Sequence, residues 1–344
     1  MRLRRSDLRG VLSAARYAAS RVALLATVGA TIAVAVAVRP VQAQGGLSTE
    51  GALVLLVPVG ARTVAAGQTS VTAEAGSESL WGNPAGIARM TTREVALYYS
   101  KTLVANGSAL GIVYPAGKAG VLGLGAQLHD YGAQELTDDV GNVVGQLLTR
   151  DVLAMLTYAA TLGPSMRAGV TYKLIQRRSD CTGPCAPSID YVVSTSGLDA
   201  GFQWQGQRAD SVTAGLGVRQ LGLKLQVNDD AQSDPLPTRL HAGIGARVPR
   251  VSAALPGTEL RWAVELVNRT SLDDPAVRLG AELGLQRQLF LRAGYASGTG
   301  DTTGPAIGLG FVRGALSIDF ARVFGGLSSD AGQPPTYLSL RISW

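Results

Sequence analysis

The chain is poor in the residues that build catalytic sites. It has two histidines and two cysteines in 344 residues. His129 has Asp130 beside it but no serine motif, and His241 lies in mid-strand facing away from the apolar side. Neither brings a nucleophile, a base and an orienting group to one place, as a hydrolase requires. The Gly-rich stretch 120–125 reads as strand, and no helix follows it to make a phosphate loop. The expectation is a protein that is not an enzyme and carries no cofactor. Cys181 and Cys185, with three residues between them, read after export as a small loop disulfide; a metal site would need two further ligands, and none is near in sequence. Charged residues are also scarce at 16%, where a soluble domain of this size carries about 25%. Helical 3.6-residue periodicity is missing as well. After residue 43 no apolar run approaches the ~20 residues of a membrane helix. The longest, Ala52 to Val57, is cut by Pro58, which excludes a helical membrane protein.

The excess of positive charge, +6 overall, is confined to one end. Arg2, Arg4, Arg5, Arg9, Arg16 and Arg21 precede the uncharged run Val22 to Val38, followed by Arg39, Pro40 and the small-residue site Val41-Gln42-Ala43. This order is that of a secretory signal over residues 1–43, cut after Ala43; a retained anchor is the alternative for a run of that length. No cysteine follows the run closely, which argues against a lipoprotein. Seven of the 31 basic residues and one of the 25 acidic residues lie within 1–43, so 24 of each remain. The mature chain is neutral, and the pI of 9.5 carries no indication of nucleic-acid binding.

What the chain has is alternation. Leu338-Ser339-Leu340-Arg341-Ile342-Ser343-Trp344 puts Leu338, Leu340, Ile342 and Trp344 on one face of a strand and Ser339, Arg341 and Ser343 on the other. An outer-membrane β-barrel ends in this way, apolar face to lipid and polar face to lumen. About fourteen such segments follow one another: 93–103, 108–116, 120–131, 146–161, 165–180, 189–205, 210–222, 236–248, 258–269, 275–287, 289–297, 304–313, 315–324 and 336–344. The clearest sets Val277, Leu279, Ala281, Leu283 and Leu285 against Arg278, Gly280, Glu282, Gly284 and Gln286.

The connections alternate too. Those at 117–119, 162–164, 206–209, 288 and 314 are tight; those at 132–145, 181–188, 223–235, 270–274, 298–303 and 325–335 are longer. Two depart from the scheme, 249–257 by being long and 104–107 by being short. Short periplasmic turns and long outer loops are the topology of an outer-membrane barrel with an even strand number. A soluble β-sandwich shares the side-chain alternation, but it does not account for the loops, the terminal aromatic and the secretory signal together. The reading is an all-β chain: signal 1–43, an N-terminal hatch or plug segment 44–92, and a transmembrane antiparallel barrel 93–344 in the bacterial outer membrane, in contact with its lipid.

The segment before the first strand differs in composition. Gly60 to Gly76 is rich in Ala, Gly, Ser and Thr, and it leads into Leu80-Trp81-Gly82-Asn83-Pro84-Ala85-Gly86-Ile87-Ala88. With Pro58-Val59-Gly60-Ala61-Arg62 about twenty residues earlier, this resembles the amino-terminal signature of the PorV/PorQ family, relatives of the FadL-type long-chain fatty-acid transporters. Leu128-His129-Asp130-Tyr131-Gly132, Asp139-Val140-Gly141-Asn142 and Ser196-Gly197-Leu198-Asp199-Ala200-Gly201 are compatible with that order. The resemblance implies that residues 60–90 fold as a hatch in or across the periplasmic end of the barrel, turning at Asn83, Pro84, Ala85 and Gly86; a cap on the periplasmic mouth is the plainer alternative. Asn83-Pro84 favours a turn on its own chemistry, because Pro fixes its φ and pushes the preceding residue out of the helical region. The resemblance also makes Trp344 an assembly signal read by the barrel-assembly machinery.

On the lumen side, alternation places Arg167, Lys173, Arg239, Arg247, Arg261, Glu265, Arg278, Glu282, Arg292, Asp319 and Arg341. Mixed signs favour a filled barrel, with the charges paired or holding the hatch; steering an anionic headgroup is the other reading. Two functions follow from the resemblance: passage of small hydrophobic molecules across the outer membrane, or a barrel of a type IX-like secretion system that holds secreted cargo at the surface without transporting solutes.

Overall fold

The computed structural model describes residues 50–185, 190–207, 212–226, 233–248, 256–272, 274–298 and 302–344. The expected signal 1–43 lies outside the described residues, as do parts of the connections expected at 181–188, 206–209, 223–235, 249–257, 270–274 and 298–303.

Alternation becomes sheet. Sixteen strands run in chain order: β1 (Glu94–Lys101), β2 (Asn106–Pro115), β3 (Val121–Thr137), β4 (Val143–Thr161), β5 (Met166–Thr182), β6 (Tyr191–Gln205), β7 (Val212–Gly222), β8 (Leu225–Gln226), β9 (Ser233–Asp234), β10 (Arg239–Arg247), β11 (Thr258–Arg269), β12 (Ala276–Leu285), β13 (Leu289–Ala296), β14 (Gly304–Arg313), β15 (Leu316–Val323) and β16 (Thr336–Ser343). All but β8 and β9 form one closed antiparallel ring of fourteen strands, shut by β1 on β16 in the register Glu94 to Ser343 through Lys101 to Thr336. Closure pairs every edge, and for that reason strands can cross a hydrocarbon layer that leaves no backbone polar group a water partner. The pair β8–β9 is a small separate ribbon in the connection between β7 and β10.

The faces divide as period 2 requires. In β16 Ser339 is wholly buried and Arg341 nearly so, while Leu338, Leu340, Ile342 and Trp344 point outward. The outward band is apolar all round, with Leu97, Leu124, Leu156, Leu174, Leu198, Leu266 and Leu309 among its members. Aromatic side chains flank it: Tyr114, Tyr158, Trp204, Phe311 and Trp344 toward the end with the tight turns, and Tyr99, Tyr295 and Phe320 toward the other. An apolar belt between two aromatic girdles is the surface of a membrane-spanning barrel. The tight-turn end, where β1 begins and β16 finishes, is the periplasmic one.

One expected loop is mostly strand. Residues 132–145 pair as a ladder from Ala133–Leu148 to Thr137–Val143, after a bulge between Asp130 and Ala133, leaving only 138–142 as a turn. The cause is that Gly132, at φ 74°, absorbs the extra residue of the bulge. Strands β3 to β6 therefore run 17, 19, 17 and 15 residues, past the 9–11 or so that cross a bilayer, and stand as a tall wall at the outer end. The disulfide Cys181–Cys185 sits at its rim.

Residues 50–92 lie inside the ring. They form 3-10 turns at Leu53–Leu56, Gly76–Leu80 and Pro84–Ile87 and one short helix, α1 (Ala61–Ala65). This plug begins at the outer end, where Glu50 meets Arg239 at the top of β10, and reaches the periplasmic turns, where Arg89 bonds the Pro164 carbonyl and Gln205. It thus occupies more of the barrel's height than the periplasmic end assigned to residues 60–90 from sequence. Within residues 60–90 themselves Gln68 reaches the outer connection between β13 and β14, its Nε2 donating to the Thr302 carbonyl at 2.7 Å.

Candidate functional site

The candidate site is the lumen and the plug within it. Helix α1 explains how the two are joined. A five-residue helix has no strength of its own, and its N-cap, Gly60, offers no side chain. Its free amides are satisfied from elsewhere: Ala61 N donates to Ser339 Oγ on β16 at 2.8 Å, and Thr63 N donates to Glu78 Oε2 at 2.8 Å, with the Thr63 hydroxyl on the same oxygen at 2.6 Å. Glu78 is itself in the plug and buried; burial pushes its carboxyl above its ordinary value, against the lowering effect of Arg341 and Thr63.

Two wall carboxylates hold the plug backbone in the same manner. Glu265 on β11 accepts Ser70 N at 2.5 Å and Val71 N at 2.8 Å, and its other oxygen meets His241 Nδ1 at 2.7 Å and Arg278 at 3.5 Å. Glu94 on β1 accepts Ser77 N at 2.7 Å and the Ser77 hydroxyl at 2.5 Å, and that hydroxyl touches Tyr98 Oη at 2.6 Å. A carboxylate that accepts several amides forms charge-assisted bonds, about twice as strong as neutral ones.

A chain of ion pairs runs along the β12–β16 wall. Arg341 meets Asp319 at 2.7 Å, Asp319 meets Arg292 at 2.6 Å, Arg292 meets Glu282 at 2.6 Å, and Glu282 meets the plug residue Arg62 at 3.2 Å. Elsewhere Lys173 pairs with Asp199 at 2.6 Å, Arg167 with Glu74 of the plug, and Arg239 with Glu50 through both its terminal nitrogens, at 2.8 and 2.7 Å. Arg247 and Arg261 share Glu259, at 3.1 and 2.7 Å. Every lumen charge singled out from sequence is thereby brought onto an opposite charge.

The side of the lumen lined by β1 to β6 carries, besides its polar residues, an apolar cluster. Leu153, Met155, Ile175 and Val193 of the wall pack with Val54, Leu55, Leu80, Trp81 and Ile87 of the plug and with Leu225 and Leu236 of an outer connection. Trp81 stands edge-on to Tyr98 with centroids 5.5 Å apart, and its Nε1 donates to Gln127 at 2.7 Å, which in turn meets His129. His129 is therefore turned into the lumen and engaged there, while neighbouring Asp130 points outward to Arg150. An apolar cluster thus joins the plug to this wall from the outer end downward, beside the buried pair Lys173–Asp199 of β5 and β6 and the pair of Arg167 on β5 with Glu74 of the plug.

The Asn83-Pro84-Ala85-Gly86 turn adjoins that cluster at Ile87. Asn83 caps its own 3-10 turn, its Oδ1 accepting Ala85 N at 3.0 Å, while its Nδ2 donates to Val71 O at 2.7 Å. The turn presses on bare backbone: a Cβ on Gly201 would stand 1.8 Å from Asn83 Oδ1, and one on Gly169 would stand 2.6 Å from the Pro84 carbonyl carbon. At the chain end Trp344 exchanges backbone hydrogen bonds of 3.0 and 2.9 Å with Arg93, joining the two ends of the barrel sequence.

Sequence reasoning missed Arg62, Glu78, Glu94, Ser339 and Gln127. Glu94 and Ser339 carried a signal, being polar on the inward phase of β1 and β16; the plug residues carried none, since an irregular segment has no period to read.

No family model matches the chain, and no curated protein sequence matches it. Solved structures match in fold. The Ralstonia pickettii toluene transporter TbuX aligns over 83% of this chain and 97% of its own, at 14% identity and a TM-score of 0.50. The Pseudomonas putida toluene transporter TodX aligns over 82% and 95%, at 11% identity and 0.51. The CymD monoaromatic hydrocarbon channel aligns over 84% and 97%, at 12% identity and 0.52. Likeness at such low identity is likeness of fold: a closed antiparallel barrel of fourteen strands.

Proposed function

We propose that the protein is a plugged outer-membrane channel that admits small hydrophobic molecules. The observation that carries this is the apolar cluster on the β1–β6 side, which runs from Leu225 and Leu236 at the outer end to Trp81 and Ile87 of the plug and lines a way for such a molecule when the plug shifts. Burial of apolar area, at roughly 25 cal/mol per Å², draws it out of water. The structural neighbours described as toluene transporters and a monoaromatic hydrocarbon channel support the choice of cargo. The apolar belt between its two aromatic girdles supports an outer-membrane location, and Trp344 is the feature we propose the barrel-assembly machinery reads. Residues 50–92 act as the hatch. The test is uptake of labelled toluene and of a small hydrophilic dye by liposomes carrying the mature protein or a variant lacking residues 60–90. The intact protein should pass toluene and exclude the dye, and the deletion variant should insert and pass both. An intact protein no faster than bare liposomes for toluene overturns the reading.

A second reading is favoured by one observation. The wall of β3 to β6 standing beyond the belt, with the Cys181–Cys185 loop at its rim, is a surface on which a PorV/PorQ-type component of a type IX-like system would hold secreted cargo. Trimming that wall would abolish cargo retention and leave toluene uptake intact under this reading.

A further inference from the structure

The plug does not fill the lumen evenly. Against β1 to β3 lies a cavity of about 10 Å³ beside Val59, Tyr98 and His129, the room of a single water at most. Against β10 to β12 there is a cavity of about 120 Å³, bounded by Arg62, Thr69, Thr72 and Glu74 of the plug. Below it a wider space of about 490 Å³ extends among Thr258, Glu259, Gln286, Arg287 and Phe290 at the periplasmic end, and the two share Arg261 and Glu282. The upper cavity exists because the wall has almost no side chains there: Gly245, Ala263 and Gly280 stand side by side in register on three neighbouring strands.

The charges around this cavity are already matched. Arg62 meets Glu282, Arg247 and Arg261 meet Glu259, and Glu74 meets Arg167. What the lining offers a guest besides these paired charges is the Gln205 amide, three threonine side chains (Thr69, Thr72, Thr213) and small apolar groups. A full charge entering would lose its water and gain no free partner, at a cost of several kcal/mol, so the lining selects uncharged molecules. Size selects further, since a cavity of about 150 Å³ accommodates benzene.

We infer that solute leaves the lumen for the periplasm between the plug and β10–β12, that this exit takes uncharged molecules of about one aromatic ring, and that Arg62–Glu282 is the latch across it. The inference rests on the channel reading above. The latch is suited to opening because its side chains are 22% and 11% exposed, whereas those of Arg292–Asp319 behind it are 2% and 1% exposed; water already reaches the first pair and can replace its contacts.

The test introduces a thiol into the full-length mature protein, whose own cysteines are joined to each other. Ala263→Cys, and separately Thr213→Cys on the adjoining wall, are treated in liposomes with a bulky uncharged methanethiosulfonate, and occupancy is measured by mass spectrometry. Toluene uptake should fall to the rate of protein-free liposomes on modification of either variant, while unmodified Glu282→Gln should take up toluene faster than the parent. A fully modified Ala263→Cys protein that transports at its unmodified rate overturns the proposal, and so does resistance of both thiols to the reagent. If the parent passes no toluene, the channel reading fails by itself; the route is then read as block of the entry of an uncharged sugar, arabinose, in liposome swelling with Glu282→Gln carrying the modified thiol, and unblocked entry overturns it.

Discussion

Glu265→Gln is the sharpest probe of how the plug is held. One oxygen of Glu265 accepts two plug amides, Ser70 N and Val71 N, while the other faces His241 and Arg278. Glutamine keeps the shape but has one acceptor oxygen and no charge. If that oxygen stays with the plug, both amide bonds become neutral, and each loses about 1 kcal/mol, the difference between bonds to charged and to neutral acceptors. The side-chain NH2 then faces Arg278, donor against donor. The loss, about 2 kcal/mol, falls on docking of the plug, because the strand ladders of β10, β11 and β12 are unchanged. At tenfold per 1.4 kcal/mol, the undocked fraction should rise about 30-fold. Planar-bilayer recording reads this as more frequent opening events, and semi-native electrophoresis should show the barrel melting at nearly its original temperature. Unchanged opening frequency would refute the claim that the wall-to-amide bonds hold the plug. A barrel that melts early with no gain in opening would place Glu265 in the wall's stability alone.

Two further substitutions probe other links. Leu283→Arg puts a charge on the lipid face of β12, opposite Leu260 and Leu291, and should cost about 2–4 kcal/mol of barrel stability in a lipid-refolding titration; a loss below that of Glu282→Gln, which breaks contacts to Arg62 and Arg292, would mean the faces are misassigned. Gly201→Ala drives a Cβ against Asn83 and should cost about 1–3 kcal/mol as overpacking, read as faster protease cleavage within residues 80–92 of the folded protein; protection equal to the parent's would show that the Asn-Pro-Ala-Gly turn does not depend on bare backbone.

The barrel was legible in sequence because one physical rule, two faces per strand, governs 250 residues at once. Val277 to Leu285 and Leu338 to Trp344 show it without exception, and their register follows. The rule broke where a single residue changed phase. Nothing in Asp130-Tyr131-Gly132 announces a bulge, so alternation ends β3 at 131 and begins β4 at 146, whereas the ladder carries β3 on to Thr137 and starts β4 at Val143. Cys181 and Cys185, close in sequence and outside the belt, were read from proximity alone.

The plug was legible only as composition. Its small residues permit close approach, and the Asn83 turn has a chemistry of its own, but which wall residue meets which plug amide is a fact of three dimensions. Glu265 looks no different along the sequence from Glu282: both are inward carboxylates in mid-strand. One binds the plug backbone at Ser70 and Val71, the other binds the plug side chain of Arg62. The distinction has consequences for opening. Bonds to backbone amides are fixed by the fold of the plug and break together, when it leaves; the pair with Arg62 can break alone, because a long side chain can swing away without moving the backbone behind it. A barrel built in this way can widen the space between Arg62 and Glu282 on the periplasmic side of β10–β12 while the plug stays docked at Glu265, Glu94 and Ser339, without the leak that loss of the plug would bring.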